Sequence, residues 1–396
     1  MRPRGLPEAI WAGGGAVLLV VCGLLPPGQA LRAVGKGTDV YLFLIGMMLL
    51  SEVARREELF DWLAAFAVRR SRGSAWRLFA LVYGVGTIVT AFLSNDAAAV
   101  VLTPAVFAAA RAARAEPLPY LFVCAFIANA ASFVLPISNP ANLVLYGDRM
   151  PALSGWLRHF LLPSGLSIIA TFLVLLLVER RHLRVAITSD IVQPALPGGG
   201  RTALAGLVIT AIVLLSASAA HLRLGLPTCL AGLATAAAVL LAKREPPWAT
   251  LRGVSWGVLP LVAGLFVLVE GLNQTGLLAT LAGALHRAAA SDPGQTAWAG
   301  GVVLAILCNL VNNLPAGLVA GQSVVAGHLP QPVVDALLVG VDLGPNLSIT
   351  GSLATILWLT ALRREGLGVS FNRFLARGVL VMPPALLLAL AGLLLS

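Results

Sequence analysis

Long apolar runs separated by short basic stretches dominate the chain. The runs cover residues 8–25, 38–54, 118–147, 160–178, 203–220, 224–242, 256–273, 332–359 and 375–395. Each is near the roughly 20 residues that an α-helix needs to cross a bilayer core, allowing for tilt and breaks. None shows the ten-residue alternation of membrane β-barrel strands. The pattern predicts an all-α polytopic membrane protein with about nine full spans.

Two further apolar segments are interrupted. Residues 76–112 contain SNDAAAVVLTP at 94–104, and residues 297–328 contain NNLPAGLVAGQ at 312–322. The first has basic residues at both ends, with Arg69, Arg70, Arg72 and Arg77 before it and Arg111 and Arg114 after it. Chain that leaves and returns to one basic side predicts a re-entrant hairpin, its tip at Ser94, Asn95 and Asp96. The alternative is two ordinary spans joined by a short loop. Non-helical backbone at membrane depth survives only inside protein or along a watery cavity. That constraint accounts for polar residues at such a tip.

Charge then orients the pattern. Arg55 and Arg56, the clusters at 69–77 and 111–114, Arg180, Arg181 and Arg184, Lys243 and Arg244, and Arg363 and Arg364 all fit one side. The positive-inside bias makes that side cytoplasmic, with the N-terminus inside and the C-terminus outside. Arg32, Lys36, Arg149 and Arg158 are the exceptions. No small-x-small cleavage site follows residues 8–25, so these read as a first span.

The halves repeat each other. Before the polar stretch 179–202 come span 38–54, an amphipathic stretch 56–70, hairpin 76–112, span 118–147 and span 160–178. After it come span 256–273, an amphipathic stretch 275–290, hairpin 297–328, span 332–359 and span 375–395. An odd number of crossings between the hairpins makes the repeats inverted. The division expected is 1–178 as an N-terminal repeat, 179–202 as a flexible cytoplasmic linker with Pro and a triple Gly, and 203–396 as a C-terminal repeat. The spans after the hairpins carry breaks of their own. Pro136 and Pro140 interrupt LPISNPANLVLYG at 135–147, and Gly344, Pro345 and Gly351 interrupt DLGPNLSITGSLATILW at 342–358. Inverted repeats with broken helices are the mark of secondary transporters, with the site where the breaks meet.

Composition agrees: 58% of the 396 residues are hydrophobic and 11% charged, against roughly 25% charged in soluble domains. The mean hydropathy is +0.90. The net charge of +10 sits in loops and implies no nucleic acid. Four cysteines, Cys22, Cys124, Cys229 and Cys308, lie in or beside apolar runs without metal-ligand spacing. HExxH, an intramembrane GxSxG and paired membrane aspartates are absent, so the chain does not read as an enzyme.

GVDLGPNLSITGSLATILWLTALRREG at 340–366 resembles the C-terminal signature of the arsenite/antimonite efflux permeases, the arsenical pump membrane proteins of the ion transporter superfamily. FLSNDAAAVVLTPAV at 92–106 and LVNNLPAGLVAG at 310–321 resemble that family's hairpin motifs, and ISNPANLVLYGD at 137–148 is similar to its first broken helix. The resemblance runs from about residue 38 to 395; the shorter N-terminus and Ala98 depart from the pattern. It implies a multi-pass protein of the inner (cytoplasmic) membrane that exports arsenite or antimonite against proton influx by alternating access. It implies no cofactor beyond the proton gradient, and in some members a cytoplasmic ATPase partner. A sodium-coupled transporter or a sodium/proton antiporter of the same architecture is the alternative, because Asn, Ser, Thr and carbonyl oxygens also ligate sodium.

Arsenite at neutral pH is a small uncharged trihydroxide, which calls for amides and hydroxyls rather than fixed cations. The candidates at the breaks are Ser94, Asn95, Ser138, Asn139, Asn142, Asn312, Asn313, Asn346, Ser348, Thr350 and Ser352; each could instead serve only to cap a broken helix. Proton coupling needs a titratable group at membrane depth. Asp96 is the first candidate. Asp342 is the second, at the entrance to the second broken helix. Glu52 and Glu270 end spans and read as interfacial. Cys308, one thiol rather than the three that would grip arsenic, reads as buried packing.

Overall fold

A computed structural model describes residues 7–189 and 195–395, and helices are the only regular elements longer than a single bridge among them. The apolar periodicity decides this: with no water in the hydrocarbon core, the backbone must satisfy itself within each segment. Six helices are long and apolar enough to cross a membrane, or eight if each of two bent pairs is one span. The protein is an all-α polytopic membrane protein built from two inverted repeats.

The two broken spans show the inversion. The first runs from Pro117–Ala130 through a break to Pro140–Tyr146; the second runs from Gln331–Leu343 through a break to Leu353–Arg364. They lie antiparallel. At one end the Trp358 indole donates to the Leu121 carbonyl at 2.8 Å. At the other the Tyr146 hydroxyl donates to the Asp335 carboxylate. At the middle Asn139 meets Asp342 and Asn129 meets Asn346.

Each hairpin climbs beside its own broken span and stops level with the break. In the first, Ala75–Phe92 starts near Tyr120, whose hydroxyl donates to the Ala75 carbonyl, and ends where Ser138 donates to the Ala91 carbonyl at 2.9 Å. Pro140–Tyr146 then continues about 10 Å past the tip. In the second, Pro293–Val311 turns at Asn312 into Asn313–Gly327, and the Asn313 amide donates to the Gly351 carbonyl at 2.8 Å. Leu353–Arg364 continues about 18 Å beyond it. Chain passing beyond each tip is what makes these segments re-entrant hairpins.

Glu8–Val21, Thr38–Arg56, Leu153–Glu179, Gly198–Ala219, Gly225–Lys243, Val258–Gln274 and Phe371–Leu395, with the two broken spans, give nine crossings around the two hairpins among the described residues. The repeat also extends further than the sequence predicts. Glu8–Val21 corresponds to Gly225–Lys243, and the partners are exchanged: Glu8–Val21 packs along Val258–Gln274, and Thr38–Arg56 along Gly225–Lys243. Gly198–Ala219 is the unmatched crossing that inverts the second repeat. The contact of Thr38–Arg56 with its partner needs glycine on both sides. A Cβ on Gly46 would lie 2.2 Å from the Thr228 carbonyl oxygen, and one on Gly232 would lie 2.5 Å from the Gly46 carbonyl oxygen. Small residues let membrane helices approach closely enough for dispersion to hold them. The last spans of each half, Leu153–Glu179 and Phe371–Leu395, are also antiparallel, fastened by Arg377 on the buried Glu179 at 2.6 Å.

Three segments differ from expectation. Residues 27–36, which the predicted spans leave unassigned, form the helix Pro27–Lys36, bent 48° from Thr38–Arg56. Lys36, a charge exception, pairs with Glu270 at 2.8 Å. The polar stretch 179–202 is tied down on both sides of residues 190–194, which lie outside the described residues. Ile187 and Thr188 amides donate to the Gly73 and Ala113 carbonyls, at the two feet of the first hairpin. The triple glycine, read as flexible, opens the helix Gly198–Ala219, and a Cβ on Gly199 would strike the Glu57 carboxylate.

Replacing Gly46 by Leu overpacks a tight helix contact and should destabilise the fold by about 1–3 kcal/mol. Gly84→Leu, where no atom lies within 4 Å of an added Cβ, should be close to neutral. Thermal unfolding midpoints in detergent check both.

Candidate functional site

The first hairpin tip owes its shape to two residues. Ser94 leaves the helix and its hydroxyl accepts from the Ala97 amide at 3.3 Å, starting a new helix. Pro104 has no N–H to return to the turn before it, and residues Ala98–Leu102 form a π-helical turn there. Asp96 sits between these two devices. Its amide donates to the Asn95 side chain at 2.9 Å. Its carboxylate meets no cation and no hydrogen-bond donor among the described residues.

Asp96 and Ser94 form the floor of a cavity of about 420 Å³, beside Pro140, within the size range of small-molecule sites. The walls are apolar, from Phe43, Leu44 and Met47 on one side to Val100 and Leu357 on the other. The mouth carries Glu52, Arg55, Arg252 and Arg364. Glu52 is buried at this mouth, gripped twice by Arg55 at 2.6 and 2.8 Å. Arg252 and Arg364 have no ion-pair partner among the described residues.

A second cluster lies where the broken spans cross. The Asn139 side-chain oxygen accepts from the Ala141 amide at 3.0 Å and so caps Pro140–Tyr146. Its Nδ2 donates to Asp342 Oδ1 at 2.6 Å. Asp342 is fully buried, and its Oδ2 meets no hydrogen-bond partner within 3.5 Å among the described residues. It stands at the C-terminal end of the half-helix Gln331–Leu343, not at a helix entrance. Beside it Asn129 Nδ2 donates to Asn346 Oδ1 at 3.0 Å, and Asn346 Nδ2 to the Phe126 carbonyl at 3.1 Å.

A third cluster closes the second break. Asn309 is its hub. Its Nδ2 donates to the Ala305 and Gly344 carbonyls, its Oδ1 accepts from Ser348 at 2.8 Å, and its own carbonyl accepts from Thr350 at 2.8 Å. Asn312 has φ 76° and ψ 154°, a region costly for a residue with a Cβ. It stays there because its Oδ1 caps the Leu314 amide and its Nδ2 donates to the Thr350 carbonyl.

The sequence-predicted residues therefore divide into three groups rather than one shell. Ser94 and Asp96 face the cavity. Asn139, Asp342 and Asn346 join the repeats at the crossing. Asn312, Asn313, Ser348 and Thr350 hold the second break. The others serve the breaks locally: Asn95 pairs with its neighbour's amide, Ser138 bridges Leu135 and Ala91, Asn142 donates to the Ser132 carbonyl at 2.9 Å, and Ser352 caps the Thr355 amide at 3.1 Å. Cys308 is buried. Sequence reading missed Asn129 and Asn309, each a lone Asn inside an apolar run. An intramembrane amide needs a partner, so their position was itself a signal. It also missed a cluster at the far end, where Asp335 accepts from Gln331 at 2.7 Å and Tyr146 and lies 2.6 Å from His159 Nδ1. Gln331 and Asp335 stand four residues apart, on one helix face.

Comparison with known proteins places this architecture. The chain is 29% identical over 415 residues to the "arsenical pump membrane protein" of Escherichia coli strain K12, covering 99% of this chain and 94% of that protein. It is 28% identical to the protein of the same description from Yersinia enterocolitica, with the same coverage. An "uncharacterized transporter" of Mycobacterium tuberculosis is 26% identical over 90% of this chain and 85% of its own length. The solved YdaH transporter of Alcanivorax borkumensis, described as having an unusual topology, shares the fold: TM-score 0.53 at 18% identity, covering 92% of this chain and 85% of that one. Residues 2–340 match the family described as "citrate transporter". The protein is a multi-pass membrane transporter, and the chain belongs to the citrate transporter family.

Proposed function

We propose that the protein exports arsenite or antimonite in exchange for protons, with the basic face and the N-terminus in the cytoplasm. The observation that carries this reading is Asp96: a lone carboxyl group on a hairpin tip, beside the Ser94 hydroxyl, at the blind end of a cavity. The full-length likeness to arsenical pump membrane proteins supports the cargo. No arginine or lysine sits at the floor, which suits an uncharged trihydroxide that donates and accepts hydrogen bonds. Proton and cargo then compete for one place. A proton on Asp96 neutralises the floor and releases cargo outward; loss of that proton to the cytoplasm restores a strong acceptor for the next molecule. The export drive is the proton gradient, and the site would lie in the inner membrane.

A second reading has one observation in its favour. Arg252 and Arg364 stand at the mouth without an ion-pair partner among the described residues, and an anionic carboxylate cargo would be drawn there.

Two experiments decide. Expression in an arsenite-sensitive, pump-deleted strain should lower internal arsenic, and everted vesicles should accumulate arsenite only while a proton gradient is imposed. Accumulation that needs sodium and ignores pH would transfer the site to sodium coupling; citrate uptake without arsenite uptake would favour the anion. Asp96→Asn keeps the shape of the side chain and removes the titration. Transport by it should lose its dependence on the proton gradient, and an unaltered pH profile would remove Asp96 from the coupling role.

A further inference from the structure

A second cavity, of about 580 Å³, opens on the opposite face. Lys36, Asp39 and His221 line it together with Leu143, Val144 and Gly147. It lies behind the same elements that wall the first cavity. Along Thr38–Arg56, Val40 belongs to the second cavity and Phe43 to the first. Along the half-helix Pro140–Tyr146, Pro140 belongs to the first and Leu143 to the second. Three residues separate the cavities on each helix, about 4.5 Å of rise. Along Val258–Gln274, Val258 faces the first cavity and Phe266 the second, with buried Val262 between them.

We propose that this is the translocation route: cargo passes along one face of Thr38–Arg56, and the barrier is a thin apolar septum formed by Val40, Phe43, Pro140, Leu143 and Val262. The proposal deepens the transport reading and rests on it for the cargo, while the route rests on geometry alone. Both cavities carry charged side chains, whereas the septum carries none. An ion would lose its hydration there without replacement. A small uncharged hydroxide loses far less, so the septum selects neutral cargo as well as sealing the membrane.

The movable part is the half-helix. It has seven residues, too few for a full span, and is joined to the rest of its span by a break whose one regular piece is the single 3₁₀ turn Pro136–Ser138. Its back is held by the second hairpin, where a Cβ on Gly321 would lie 2.7 Å from the Leu145 carbonyl oxygen. Its far end is held by Tyr146 on Asp335. Opening the septum therefore takes a shift of one short helix against Thr38–Arg56, directed by a hairpin of the other repeat.

Single cysteines test the route in a background whose four native cysteines are replaced by serine or alanine. The probe is a charged, membrane-impermeant methanethiosulfonate applied to de-energised vesicles of either orientation, on ice. Met47→Cys should react only from the basic face and Leu143→Cys only from the opposite face. Adding Phe43→Ala thins the septum, and Leu143→Cys should then react from both faces; Phe43→Leu, which keeps most of the volume, should preserve sidedness. Should Phe43→Ala give no protein in the membrane, Val262→Ala makes the same test. Labelling of both cysteines from one face, labelling of neither in membranes while both react after denaturation, or unchanged sidedness in the thinned variants overturns the proposal. Labelling needs no cargo, so a wrong route shows here, while a wrong cargo shows only in the vesicle transport assay.

Discussion

A helix broken inside a membrane leaves carbonyl and N–H groups that water cannot reach, and the architecture follows from satisfying them. Four interruptions, two at hairpin tips and two in broken spans, bring their orphan groups to one level. The side chains there answer them: Asn139 caps one half-helix and reaches Asp342, Asn346 holds the Phe126 carbonyl and Asn129, and Asn309 ties two carbonyls across the second break. Each such bond adds on average only about 0.6 kcal/mol within a membrane. Leaving one buried group unmatched costs about 1–3 kcal/mol. That imbalance fixes the register of the two spans more firmly than their apolar surfaces, which lipid solvates equally well.

Once the breaks must meet, the rest is constrained. Antiparallel broken spans require inverted halves, and the unmatched helix Gly198–Ala219 supplies the odd crossing. Hairpins must enter from opposite faces, because each stops at the break of its own span. The flanking helices exchange partners between halves, at glycine contacts such as Gly46 on Gly232. The halves are therefore interlocked, and motion is left to short pieces such as Pro140–Tyr146.

Charge is distributed to match. Buried Glu179, Glu52 and Asp335 all have partners, namely Arg377, Arg55, and the Tyr146, Gln331 and His159 group. Asp96 has none among the described residues and lines the first cavity. The symmetry-related tip puts the buried Leu314 in its place. The pseudo-symmetry holds for backbone and amides and fails at the one acid that the proposed coupling needs, so a single half handles the proton in that reading.

Sequence alone determined the class, the spans, the hairpins, the positions of the breaks and the inversion, because each is written in local hydropathy or in loop charge. SNDAAA and NNLPAG marked both tips to within a residue or two. What it could not determine was which polar residues look into space and which look into backbone. Ser94 and Ser138 have the same chemistry, yet one faces a cavity and the other bridges Leu135 and Ala91. Asn129, Asn309 and Asp335 carried no motif, and each takes its role from a partner 35 to 217 positions away. The septum is the extreme case: Phe43, Leu143 and Val262 are ordinary apolar residues in ordinary apolar runs. Only the packing of three distant helices turns them into the wall between two cavities, because hydropathy records that a residue avoids water but not which surface it is pressed against.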